Sequence, residues 1–308
     1  MLSTEPFEVP AYLMELAGAL PRVPMAVAGA DHPVALTSAR RATEAGAIEP
    51  VLIGEADAIR SLAGDAGWDL GGVRIVEEAD EAKKAEAAAA LAGSGEAAAI
   101  MKGHVHTDAL MRAVLRRDAG LRTGRRVSHV FHMTAPGRSG VLHVTDAVVN
   151  VRPDADEMLD IVNNAVELAR ALDPREPRVA LLSGAEVVNP GMPSSVQAAE
   201  VAARAAGGEV TGAAVDGPFG FDNAVSPEAA RLKSIESPVA GNADILVVPN
   251  VEAGNILFKQ MVYFMSATAA GVVMGTRVPI VLTSRADPPE ARLAAAFIAA
   301  IVAAKAAG

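Results

Sequence analysis

The sequence contains no cysteine, which excludes disulfides, thiolate metal sites, cysteine-ligated iron–sulfur clusters and a cysteine nucleophile. Aromatic residues fill only 3% of its 308 positions, too few for the stacking platforms that grip single-stranded nucleic acid. Basic residues are outnumbered, 27 Lys and Arg against 37 Asp and Glu, for a net charge of -10. That balance speaks against a nucleic-acid partner, whose binding requires neutralised phosphates. No apolar run approaches the ~20 residues that cross a bilayer, so no membrane partner is expected. The opening residues, Met1-Leu2-Ser3-Thr4-Glu5-Pro6, lack the basic and then apolar character of a secretory leader, and the expected location is cytoplasmic. A G-x-G-x-x-G after the first strand, a G-x-x-x-x-G-K-[ST] phosphate loop and a G-x-S-x-G elbow are all missing.

What is present is the profile of a folded globular chain, 51% hydrophobic and 21% charged. At about 150 residues per domain, the length suggests two domains. Short runs rich in Val and Ile predict strands at 25–28, 51–53, 73–76, 97–101, 127–133, 141–144, 179–182, 210–215, 245–248, 271–274 and 279–282. Alanine-rich amphipathic stretches predict helices at 33–45, 80–92, 153–172, 195–206 and 288–306. Alternation of this kind describes βαβ units around a mostly parallel sheet, and the fold class is α/β. Several helix ends are marked. Ser194 with Gln197 matches a capping box, Ser226-Pro227 and Asp287-Pro288-Pro289-Glu290 each place a cap before proline, and Gly46 stops a helix. The breaker-rich segment 135–140 is the best domain crossing.

Chemistry-bearing side chains concentrate in four segments. Met101-Lys102-Gly103-His104-Val105-His106-Thr107-Asp108 ends a strand and opens a helix carrying Arg112. Ligands of open α/β sheets gather at such strand ends, where helix N-termini favour phosphate, and Lys102 and Arg112 add charge. Asp216–Ser226 packs Phe219, Phe221 and Asn223 into a glycine-punctuated loop suited to a pocket wall or to a local apolar cluster. In 248–259, Asn255 and Lys259 are four apart and share a helical face, where an amide and an ammonium could hold a carbonyl or phosphate oxygen. In 282–290, Ser284 and Arg285 precede a helix start, while Asp287 and Glu290 read first as helix caps, with a general base as the alternative.

Two further patterns carry alternatives. Six arginines lie between Arg112 and Arg126 with one acid, Asp118, which fits either a small polyanion or a solvated helix face and turn. His104 and His106 alternate, with His129 and His132 nearby. No flanking carboxylate cluster supports a metal there, and histidines in an edge loop are the commoner case, so no metal ligand is assigned.

The segments KGHVHTDALMRAVL, DGPFGFDNAVS, VVPNVEAGNILFKQ and PIVLTSRADPPEARLA, in this order and spacing, resemble the phosphate acetyltransferase/phosphate butyryltransferase family over essentially the full chain. The short length and the DGPFGFDNAVS and TSRAD forms look closer to the butyryltransferase branch. The resemblance implies two α/β domains similar to isocitrate and isopropylmalate dehydrogenases, 1–137 with 283–308 and 138–282, and an active site in the cleft between them. It implies reversible transfer of a short acyl group between coenzyme A and inorganic phosphate, by direct thiolate attack on the acyl phosphate. Coenzyme A is then a substrate, no cofactor is required, and the chain forms a homo-oligomer, at least a dimer.

Such chemistry needs a base for the thiol, donors for the carbonyl oxyanion and cations for phosphate. By resemblance Ser284 and Arg285 match the family's active-site pair and Arg112 a substrate-binding arginine. The family's acetyltransferases also use an aspartate shortly after this pair; here Asp287 is taken into the catalytic set, with Glu290 or another residue as the alternative base. Lys102, His106, Thr107, Asn255, Lys259, Phe219 and Asn223 are the remaining substrate-binding candidates. Phe221, Phe258 and Met265 join Phe219 as candidates for the acyl-pocket lining. The competing readings are a metal- and NAD-dependent dehydrogenase of the same fold and a non-catalytic protein that binds coenzyme A or acyl phosphate.

Overall fold

The computed structural model describes residues 2–137, 140–284 and 287–307. The chain runs α1 (Ala11–Gly18), β1 (Val23–Ala28), α2 (Pro33–Glu44), β2 (Ile48–Gly54), α3 (Ala56–Asp65), β3 (Arg74–Glu77), α4 (Glu81–Ser94), β4 (Ala99–Lys102) and α5 (Thr107–Val114). It continues through β5 (Ser128–Thr134), β6 (Val141–Thr145), α6 (Ala155–Leu172), β7 (Arg178–Leu182), α7 (Pro193–Arg204), β8 (Ala214–Phe219), α8 (Phe221–Val225) and α9 (Pro227–Leu232). The last elements are β9 (Ile245–Val247), α10 (Val251–Met265), β10 (Thr268–Met274), β11 (Ile280–Val281) and α11 (Pro289–Ala307).

Two compact units result, Phe7–Arg125 with Ala270–Gly308, and Met1–Pro6 with Arg126–Ala269. Both changeovers in the body of the chain lie earlier than expected, the first before Gly137, the crossing read from breaker residues, and the second before Thr283, the return that the resemblance implies. In the first unit β1 pairs in parallel with β2 and β4, β2 with β3 and β4 with β11, while β10 is antiparallel to β11. In the second, β6 is antiparallel to β5 and parallel to β9, and β7 is parallel to both β9 and β8. The fold is therefore mixed α/β and mostly parallel. Strands such as β1 and β9, paired in parallel on both sides, are apolar along nearly their whole length because helices cover parallel sheets on both faces. Among the described residues no helix is long and apolar enough to cross a membrane.

Helix starts follow local chemistry. Asp154 and Glu157 form a reciprocal capping box on α6, and Asp80, Ser226 and Asn250 each accept a first-turn N–H of α4, α9 and α10. Two expectations fail. Proline at its first position starts α7 ahead of Ser194, so no Ser194–Gln197 box forms; Ser194 instead meets Ser183 at 2.9 Å and Gln197 donates to the Pro153 carbonyl at 2.6 Å. β8 begins at Ala214 and not at Val210, since Gly212 turns the chain at φ +72°.

His132 of β5 and His143 of β6 are cross-strand partners, both buried, with ring centroids 5.3 Å apart. The His143 Nδ1–H donates to the Asp244 carbonyl at 3.3 Å. Burial lowers the His143 pKa to about 4 and holds His132 well below the usual histidine range, with the charge of His143 opposing its protonation further. The unfolded chain binds protons that these rings refuse, so folding stability should fall as pH drops from 6.5 towards about 4, by at most about 1.4 kcal/mol per pH unit for each ring. Urea unfolding across this range should show that slope, and His143→Phe should flatten it. An equal slope in the variant would mean that His143 takes its proton in the folded state.

Candidate active site

The ends of β1 and β4 approach too closely for side chains. Beyond the paired residues Ala28 and Lys102, the Gly103 N–H donates to the Ala28 carbonyl at 2.8 Å and the His104 N–H to the Gly29 carbonyl at 2.9 Å. A Cβ on Gly103 would lie 2.5 Å from the Gly29 oxygen, and Gly29 itself sits at φ +76° against the His104 backbone. Only glycine fits either position. This crossing delivers Lys102 to the strand end and His106 to the start of α5.

Around it lies a cavity of about 310 Å³ lined by His32, Val34, Ala35, Lys102, Gly103, His104 and Arg292. Lys102 is only 7% exposed and its Nζ donates to the Val105 carbonyl at 3.4 Å. The first turn of α2 forms one wall; His32 caps it by accepting the Val34 N–H at 3.3 Å and stacks on His104 with centroids 4.2 Å apart. Arg292, 8% exposed, enters from α11. Its Nη1 donates to Thr283 Oγ1 at 3.2 Å and its Nη2 to the Ser284 carbonyl at 2.5 Å, while its buried Nε has no partner among the described residues. Burial disfavours its charge, and the pKa lies below the usual arginine value.

Ser284 and Asp287 meet in the loop held by Arg292. The Ser284 N–H donates to the Asp287 carboxylate at 2.6 Å, and the Asp287 N–H returns to the Ser284 carbonyl at 3.2 Å. That bond of Asp287 ties the preceding loop. Glu290 reaches Arg41 at 3.7 Å, so the expected cap is replaced by an ion pair. Arg285 lies outside the described residues.

Other candidates near this site are more exposed. His106 shares one oxygen of Glu81 between its backbone N–H, at 2.5 Å, and its ring Nδ1, at 2.7 Å; chiefly the backbone bond lowers the Glu81 pKa. Thr107 is the first residue of α5, and Arg112 lies in its last turn with no ion pair among the described residues. The arginine-rich segment does not act as one patch. Arg116 is engaged by Asp118 and Glu86, and Arg126 by Glu157 and Asn150 in the other unit.

Asn255, Lys259, Phe219 and Asn223 belong to that other unit. Phe219 is 3% exposed and packs in the core with Phe131, Leu182 and Leu246. Asn223 is buried, with Nδ2 3.4 Å from Glu186. The Asn255 Nδ2 donates to the Ala147 carbonyl at 3.4 Å, and Lys259 is exposed with Nζ 5.9 Å from the Phe258 ring centroid. Phe258 itself stacks on Phe131 at 4.1 Å. Phe221 and Met265 do line a mainly apolar cavity of about 630 Å³ along α10. Among the described residues no group of three or more His, Asp or Glu is placed to hold a metal ion.

Two site residues escape motif reasoning, His32 and Arg292. For Arg292 a signal exists in the sequence. It is the one charge between Glu290 and Lys305 in an otherwise apolar helix, a position where an ion needs a reason to be buried.

Residues 81–300 match the family model described as "Phosphate acetyl/butaryl transferase". A phosphate acetyltransferase of Rhizobium meliloti is 45% identical over 277 residues, covering 89% of this chain and 88% of its own. A phosphate butyryltransferase of Clostridium beijerinckii is 39% identical over 294 residues, covering 94% and 97%. The crystal structure of a branched-chain phosphotransacylase from Enterococcus faecalis V583 superposes with a TM-score of 0.78 at 32% identity, covering 91% of this chain and 99% of that one.

Because its Cβ would strike two backbone carbonyls, Gly103→Ala should lower folding stability by about 1–3 kcal/mol in urea unfolding. An unchanged midpoint would show that the β1–β4 crossing relaxes without loss.

Proposed function

The chain belongs to the phosphate acetyl/butyryl transferase family, and on that premise we propose that it transfers a short acyl group reversibly between coenzyme A and inorganic phosphate. The single observation that carries this reading is similarity to enzymes of that reaction along nearly the whole chain. The geometry adds support. A hydroxyl and a carboxylate, Ser284 and Asp287, lie in one loop held by the buried Arg292 guanidinium of α11, which also lines a cavity at the end of β4 with Lys102.

In the direction of thioester formation, the coenzyme A thiol loses its proton and its sulfur attacks the acyl phosphate carbonyl carbon. The tetrahedral oxyanion collapses, the carbon–oxygen bond to phosphate breaks, and inorganic phosphate leaves with the bonding electron pair. Ser284 donates to the reacting centre, Arg285 binds phosphate or the carbonyl oxygen, and Asp287 takes the thiol proton. The hydrogen bond from the Ser284 backbone N–H to the Asp287 carboxylate, which ties the two residues together, supports this assignment. Lys102 at the end of β4 and His106, Thr107 and Arg112 along α5 bind substrate in the first unit; in the second unit Asn255, Lys259 and the buried Asn223 are the substrate-binding residues, and Phe219 serves the core. Coenzyme A enters as substrate and no cofactor is required. The proposal includes assembly of at least two chains, for which the exposed Ile256, Tyr263 and Phe264 of α10 offer an apolar face, and a cytoplasmic location.

Thioester formation from coenzyme A and acetyl, propionyl or butyryl phosphate, in chelator and without nicotinamide, tests the reading. Turnover with one or more of these is expected, and the rank order sets the chain length. Folded protein that turns over none of them would refute it.

Two substitutions separate the assigned roles. Asp287→Asn keeps an acceptor for the Ser284 N–H but removes the base, so kcat should fall about 10²–10⁴-fold with the melting temperature unchanged. Ser284→Ala should lower kcat about 10²–10³-fold, as expected for loss of one oxyanion donor. Rates near wild type would remove the residue concerned from the catalytic set.

A further inference from the structure

We propose that the cavity at the ends of β1 and β4 is a phosphoryl-group subsite in which Lys102 and Arg292 together hold a dianionic tetrahedral oxyanion. This deepens the acyltransferase reading, which supplies the phosphate-bearing substrates, and it adds Arg292 to the binding residues.

Two cations, 7% and 8% exposed, line one cavity of about 310 Å³, and among the described residues no carboxylate lines it with them. Burying a charge is expensive unless an opposite charge or a full set of hydrogen bonds compensates. Elsewhere in the same unit that compensation is built in, since the buried Lys84 sits 2.5 Å from Asp31. Arg292 forms no ion pair among the described residues; Asp287 only adds a favourable field at longer range.

The guanidinium is also held in a fixed orientation. Its two terminal nitrogens donate to Thr283 Oγ1 and the Ser284 carbonyl, which fixes the plane, and the buried Nε–H remains without a partner among the described residues. A fixed guanidinium with a spare N–H suits an oxyanion better than a flexible ammonium does. Val34 and Ala35, in the first turn of α2, line the same cavity, so the positive end of a 12-residue helix contributes in the same direction. The cavity holds an ion of a few heavy atoms with room to spare. Arg292 also binds the Ser284 carbonyl, so the subsite is mechanically continuous with the proposed catalytic loop.

The test uses full-length protein with two probes, inorganic phosphate and coenzyme A, in isothermal titration. Arg292→Gln and Lys102→Gln should each weaken phosphate binding about tenfold or more while coenzyme A affinity changes less than about threefold. Weakened coenzyme A binding with phosphate binding intact would still support a phosphoryl subsite and assign it to a coenzyme A phosphate. Unchanged affinity for both probes in folded variants would overturn the proposal. Should Arg292→Gln fail to fold, Lys102→Gln and Arg292→Lys decide it. Arg292→Lys keeps the charge but loses the planar fork, so it should fall between wild type and Arg292→Gln. Phosphate binding that is lost in the variants of an enzyme without acyltransferase turnover would leave the subsite standing and remove the acyltransferase reading. Normal turnover with unaltered phosphate binding would do the reverse.

Discussion

The close approach of β1 and β4 governs the chemistry of the first unit. Two backbone hydrogen bonds continue their ladder past the last paired residues, and the space between the chains admits no Cβ at Gly103 or Gly29. Because this crossing is rigid, Lys102 leaves the strand at one defined point and α5 starts a few residues later. The parallel partner β11 then brings Thr283 and Ser284 alongside, and the first turns of α11 place Arg292 against them. Lys102 is thus placed by strand pairing and Arg292 by its helix, while Ser284 and Asp287 lie in the segment between β11 and α11.

Charge is the second organising fact. The unit buries Lys84 with Asp31, an ordinary internal pair, yet it buries Arg292 with carbonyl and hydroxyl partners alone among the described residues. Natural sequences retain such arrangements where function requires them, because an apolar residue at 292 would be cheaper to bury. A pocket that lowers its own energy by taking up an anion has binding built into its folding. Bound phosphate should in turn stabilise the native state through mass action.

Most of the fold is legible in the sequence, for identifiable reasons. Parallel strands are apolar on both faces and bounded by Gly or Pro, so every predicted strand corresponds to one of β1 to β11, within a few residues. The errors come where a local rule meets a competing one. Proline at the first position of α7 displaces the Ser194 box, and Glu290, well spaced for a cap, finds Arg41 instead. The site is only partly legible. Lys102 and Ser284 announce themselves by following strands, but Phe219 looks like pocket lining and is core, because periodicity does not say which side of a strand end faces a cavity. Arg292 and His32 are invisible to motif reasoning, since their role depends on which helices pack beside β4 and β1.

The most direct test of the strand-end site is a crystal structure of the protein soaked with tungstate, a tetrahedral dianion with a strong anomalous signal. An anomalous peak in this cavity, beside the Lys102 ammonium and the Arg292 guanidinium, is the predicted result. Tungstate bound elsewhere on the protein, with this cavity empty or holding only water, would contradict it.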